Sequence, residues 1–86
     1  MTELDCIEMV RILDTTLPGL ALQACGVYRR ACAGPVQRLL RRQRAALRKG
    51  DDAMMKALET ALAEQWGVVV REINGLVLSH GAEDEI

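Results

Sequence analysis

An all-α domain of three or four helices, centred on an antiparallel helical hairpin, is the fold this sequence predicts, and three observations predict it. Apolar residues recur at three- and four-residue steps through long stretches, the spacing of a single helix face. The breaks between those stretches are Pro18-Gly19, Gly34-Pro35 and Gly50, residue types that end helices. The apolar half of the 86 residues is Leu, Val, Ile, Met and Ala, with no Phe and only Tyr28 and Trp66 as aromatics. Such a set suits close helix packing more than a sheet sandwich.

The first element spans about residues 2–17. Thr2 followed by Asp5 forms a capping-box pattern, with Asp in place of Glu. Cys6, Met9, Val10, Leu13 and Leu17 make one stripe. Pro18 disfavours helical geometry at Leu17 and Gly19 frees the backbone to turn. The second element, residues 20–33, is apolar and carries Arg29-Arg30 near its end, where cations favour the exposed carbonyls. Gly34-Pro35 breaks it and places Pro at the first turn of the next helix. The third element, residues 35–49, has the clearest facial pattern. Val36, Leu39, Leu40, Gln43, Ala46 and Leu47 fill one arc and all six basic residues the opposite one. Gly50 supplies a left-handed stop, and Asp51 or Asp52 caps the next helix. That fourth element runs to about residue 78 with a broad apolar face from Met54 to Val77.

One local conflict exists in that last element. Val68-Val69-Val70 is β-branched, and Asn74-Gly75 between apolar flanks is a strong hairpin signal. An α+β fold with a C-terminal β-hairpin at residues 68–80 is therefore the alternative. The unbroken helical stripe and the marginal stability of an isolated hairpin favour helix. Residues 1–80 are expected to form a single helical domain and residues 81–86 an acidic, flexible tail.

Charge is sorted by segment. No acid lies between Asp14 and Asp51, yet eight of the eleven basic side chains do, so a net charge of −1 conceals strong internal polarity. The acidic start is unlike a secretory signal, and no apolar stretch approaches the ~18 residues of a membrane span, which predicts a cytoplasmic protein without a span. Cys6, Cys25 and Cys32 are odd in number and contain no CxxC pair, so free buried thiols are expected and neither metal nor cofactor. Ser79-His80 has no base, orienter or oxyanion site to work with, and no catalytic residues are assigned: the chain is read as no enzyme.

These features predict a non-catalytic protein-binding module: a small chaperone, adaptor or inhibitor. It would bury an apolar face of Leu58, Leu62, Trp66, Val69 and Ile73 against another protein, with Arg38, Arg41, Arg42 and Arg48 making the charged contact. So small a core also predicts a homo- or hetero-oligomer. The alternative is a small dimeric nucleic-acid-binding regulator that uses the basic helix 35–49 to neutralise phosphates.

The stretch from Leu39-Leu40-Arg41-Arg42 through Gly50-Asp51-Asp52 to Val70 reads as a helical hairpin with a Gly-Asp turn. In this it resembles the small helical-hairpin co-chaperones of bacterial type III secretion needle subunits. The resemblance covers about half of the chain. It implies a short cytoplasmic helical pair that keeps a needle subunit from polymerising, with a helix of a secretion component as partner.

Overall fold

The computed structural model describes the backbone of residues 2–84 and the side chains of residues 2–80. Four helices follow one another: α1 (Glu3–Thr16), α2 (Pro18–Ala33), α3 (Pro35–Lys49) and α4 (Asp52–Asp84). The all-α fold expected from the sequence is the observed one, and no strand occurs among the described residues.

Local chemistry sets most of the boundaries. The Thr2–Asp5 capping box is formed: the Asp5 N–H donates to Thr2 Oγ1 at 3.4 Å and the Thr2 N–H to Asp5 Oδ2 at 2.6 Å. Only Leu17 interrupts α1 and α2, because Pro18 occupies the first position of α2, where its missing N–H costs nothing. The second helix thus begins two residues before its expected start at residue 20. Gly50 adopts φ 67°, ψ 30° at the end of α3. The Asp51 N–H bonds the Ala46 carbonyl and the Gly50 N–H that of Leu47, the paired closure of a Schellman turn. Asp51 then caps α4 by accepting from the Met54 N–H at 3.1 Å.

The fourth helix sets the long axis. Its 33 residues give about 50 Å of helix, against a longest dimension of 55 Å and cross-sections of 18 and 16 Å. Helices α2 and α3 run back along it in succession, with Ala46 beside Met54, Val36 beside Leu62, and Val27 beside Val69. They act as one long arm broken at Gly34-Pro35. Helix α1 folds back onto α2, reaching α4 where the Cys6 thiol sits 3.9 Å from the Trp66 carbonyl. The result is a three-helix bundle at one end and a two-helix arm, α3 with the start of α4, at the other.

The core belongs to the bundle. Cys6, Leu13, Ala24, Val27, Trp66 and Ile73 are among its buried members, and Val36 continues it into the arm. Beyond it, Ala46 and Leu58 are buried in the arm outside this cluster. Helix α3 is about fifteen residues long and cannot cover the second half of α4; α1 and α2 do so.

The hairpin alternative at residues 68–80 is corrected by this packing. Val68-Val69-Val70 and Asn74-Gly75 all lie inside α4. β-Branching and one glycine together cost about 1–3 kcal/mol of helix propensity. Burying Val69, Val70 and Ile73 returns roughly 1.5–3 kcal/mol each, so tertiary packing decides for helix. Helical backbone continues to Asp84, while the flexibility expected of the tail concerns side chains 81–84 and residues 85–86, outside the described residues. Gly75 is exposed, and a Cβ added there would meet nothing within 4 Å. Gly75→Ala is therefore expected to raise the thermal midpoint by about 2–6 °C in a circular-dichroism melt, because alanine loses less backbone entropy in a helix.

Among the described residues, no helix is long and apolar enough to cross a membrane. No group of three or more His, Cys, Asp and Glu among them is placed to hold a metal ion.

Candidate nucleic-acid interface

The basic block of the sequence becomes a surface feature. Arg38, Arg41, Arg42, Arg44, Arg48 and Lys49 are all exposed on α3, and Arg29 and Arg30 extend them onto the end of α2. At 100° per residue the six cations of α3 occupy an arc of about 160° and fall into two ridges. Arg38, Arg42 and Lys49 form one, and Arg41, Arg44 and Arg48 the other. Ala45, also exposed, lies between them. From Arg29 to Lys49 the strip is about 30 Å long.

The opposite arc of α3 explains why this face points outward. Val36 and Ala46 are buried and Leu39 and Gln43 half-buried, which fixes the helix by its apolar side. Acids approach only the margins. Glu3 shares a cavity of about 440 Å³ with Arg44, Gln37 and Leu40, between α1, α3 and α4. Asp51 shares a shallower recess with Arg42 and Lys49, and Glu72 one with Arg30.

Both aromatics are committed elsewhere. The Tyr28 and Trp66 rings stack with centroids 5.6 Å apart and planes 21° from parallel. The Tyr28 hydroxyl donates to Glu3 Oε1 at 2.5 Å, tying the start of α1 to α2. That hydrogen bond is the main cause holding the phenol above its ordinary pKa, with burial and Cys32 adding to it. Burial likewise raises the Cys6 thiol, assisted by the Asp5 and Glu3 carboxylates and by Cys32. A thiol so shielded is a poor nucleophile at neutral pH. Asp5 is shifted the other way by the hydrogen bonds from Thr2, which favour its charged form.

The residues expected to dock a protein partner are placed differently. Leu58, Trp66, Val69 and Ile73 are buried and Leu62 is half-buried. Leu58 packs within the arm and the other four in or against the bundle core. The structure turns this face inward, because α1, α2 and α3 cover it. Arg38, Arg41, Arg42 and Arg48 are exposed as expected and share one face. The expected site omitted Arg29, Arg30, Arg44 and Lys49, which complete the strip; the signal was the acid-free block itself. Outward apolar side chains at Leu4, Ile12 and Leu22 also escaped the sequence reading, since they lie off the main stripes.

A family model, the cysteinyl-tRNA ligase anticodon-binding domain, matches residues 29–76. The match begins at the first arginine of the strip and takes in α3 and most of α4. No curated protein matches this chain, and no solved structure does. The family match overturns the resemblance to type III secretion co-chaperones, which rested on an Arg-rich helix and a Gly-Asp turn that many helical hairpins share. The chaperone or adaptor reading is corrected with it: the apolar face it required is spent on the core, and the matched family is named for binding RNA. Since the match covers more than half of its residues, the chain belongs to the family of cysteinyl-tRNA ligase anticodon-binding domains.

Proposed function

We propose that this chain is a non-catalytic RNA-binding module that holds the anticodon arm of a transfer RNA against the basic strip of α2 and α3. The observation that carries the reading is the exposure of all eight cations of the acid-free block, six of them on the outer arc of α3, within the matched segment. Arginine suits this role, because its planar fork makes paired, charge-assisted hydrogen bonds to phosphate. Apolar packing of Val36 and Ala46 sets the rotation of α3, so the cations are held in register without help from the ligand. Three free thiols fit a reducing compartment where transfer RNA is found, which is the cytoplasm.

Fluorescence anisotropy with labelled transfer RNA tests the proposal. About five phosphate contacts would make the binding constant fall by roughly 10²–10³ between about 50 and about 200 mM salt. Absence of binding at the lowest salt would remove the function.

A further inference from the structure

We infer that an unpaired guanine of the bound RNA enters the cavity between α1, α3 and α4, where Glu3 and Arg44 read its two polar edges. The inference rests on the RNA-binding reading above and adds a base-selective subsite to it.

The cavity joins the basic strip to the bundle core. Its volume of about 440 Å³ falls within the range of small-ligand clefts, roughly 300–1,000 Å³. Val36, Leu62 and Trp66 form its inner lining, the first and last buried and Leu62 half-buried. Glu3, Gln37 and Arg44 are exposed and form its rim. Gln37 and Arg44 stand in line with Arg41 and Arg48, because steps of three and four residues share one helix face. An RNA strand lying along Arg41 and Arg48 would therefore pass the mouth of the cavity.

The chemistry of the lining selects the ligand. A phosphate would meet the Glu3 carboxylate and an ammonium the Arg44 guanidinium, so neither fits. An apolar floor under a rim of donors and an acceptor fits a flat heterocycle with polar edges. RNA loops supply one when an unpaired base turns out of the stack. Arginine forks onto guanine O6 and N7. A carboxylate accepts from two adjacent donors, which guanine offers at N1–H and its N2 amine. Adenine and cytosine carry an amino group where guanine has O6, turning a donor toward Arg44. Uracil has a single N–H and cannot fill both carboxylate bonds.

Glu3 is already oriented for this task. Its Oε1 accepts from the Tyr28 hydroxyl, and the Tyr28 ring stacks on Trp66. The core thus anchors the carboxylate, while one hydrogen bond leaves it lone pairs for a ligand. Glu3 lies on α1, before the matched residues 29–76. The acceptor side of the subsite is therefore built by a segment that the family match does not include.

The test uses the full chain and three labelled RNA hairpins that share one stem and one loop pattern. Their loops combine uracil with guanine, with inosine, or with adenine; inosine is guanine without its N2 amine. In anisotropy titrations the guanine loop is expected to bind about tenfold or more tightly than the adenine loop, with inosine between them. Binding of the guanine loop no tighter than either of the others would overturn the inference and leave RNA binding intact. Failure of all three to bind at low salt would overturn the function instead. Glu3→Gln keeps an acceptor for Tyr28, and Arg44→Lys keeps the charge but loses the planar fork. Each is expected to bring the guanine and adenine loops to within about threefold of each other. A guanine preference that survives Glu3→Gln, with native circular dichroism, would count against the subsite. Equal losses on both loops from Arg44→Lys would make Arg44 a phosphate contact and overturn its part in reading the base.

Discussion

Replacing Arg41 and Arg42 together by glutamate is expected to weaken transfer RNA binding by about 100-fold or more, with the far-ultraviolet circular dichroism unchanged. The two residues are neighbours in sequence but stand on different ridges, so the double change removes a cation from each side of the strip. It also places two negative charges where phosphates would lie. Both side chains are exposed, and glutamate is a good helix former, so the fold has no reason to respond. Milder substitution to alanine is expected to reduce the slope of log K against log salt by about 2, one for each phosphate no longer neutralised. Anisotropy titrations at several salt concentrations read both effects. Undiminished affinity in the glutamate variant would detach the basic strip from RNA binding.

The second large effect concerns the fold. Trp66→Ala is expected to cost about 3–5 kcal/mol, the range for removing a large buried aromatic. A domain of this size holds roughly 4–13 kcal/mol in total, so the variant would be partly unfolded or close to it. Trp66 is only 7% exposed. It sits where bundle and arm meet, with Tyr28 stacked on its ring and the Cys6 thiol against its carbonyl. Its loss would loosen α1, α2 and α3 together. Trp66→Phe retains an aromatic partner for Tyr28 and is expected to recover most of the stability. Urea denaturation followed by circular dichroism distinguishes the outcomes. The two experiments address residues that the chain keeps apart: exposed cations on α3's outer arc, and the inner faces of all four helices that make the fold.

How much of this was legible in the sequence depended on the range of the deciding interaction. Helix ends were readable because they are local. Thr2 with Asp5, and Gly50 with Asp51, carry their instructions within three or four residues, and both motifs form as their spacing predicts. The division of α3 into apolar and basic arcs was readable for the same reason. Residues 68–80 were read as helix from their apolar stripe, with a hairpin as the alternative because Val68-Val69-Val70 and Asn74-Gly75 are local signals for one. The term that defeats them is burial of Val69, Val70 and Ile73 against α1 and α2, tens of residues away.

The same limit misdirected the expected apolar site. Periodicity identifies Leu58, Leu62, Trp66, Val69 and Ile73 as one face of a helix but is silent about what covers it. The chain covers it itself, by folding α1 back over α2 and running α2 and α3 along α4. The cations were easier to assign. Eight basic residues with no acid among them have no local partners to neutralise them, and solvent is their default environment. Which ligand that surface serves could not be read from charge alone.

The uneven placement of charge bears on how a polyanion would arrive. Asp52, Glu59 and Glu64 lie exposed on α4, while the cations line α3 and the end of α2. A molecule with a net charge of −1 would be neither pulled nor pushed strongly from afar, but it would experience a torque as it nears an RNA. The strip would swing toward the phosphates and the carboxylates away, so that most collisions begin in a productive attitude and capture is quickest in dilute electrolyte.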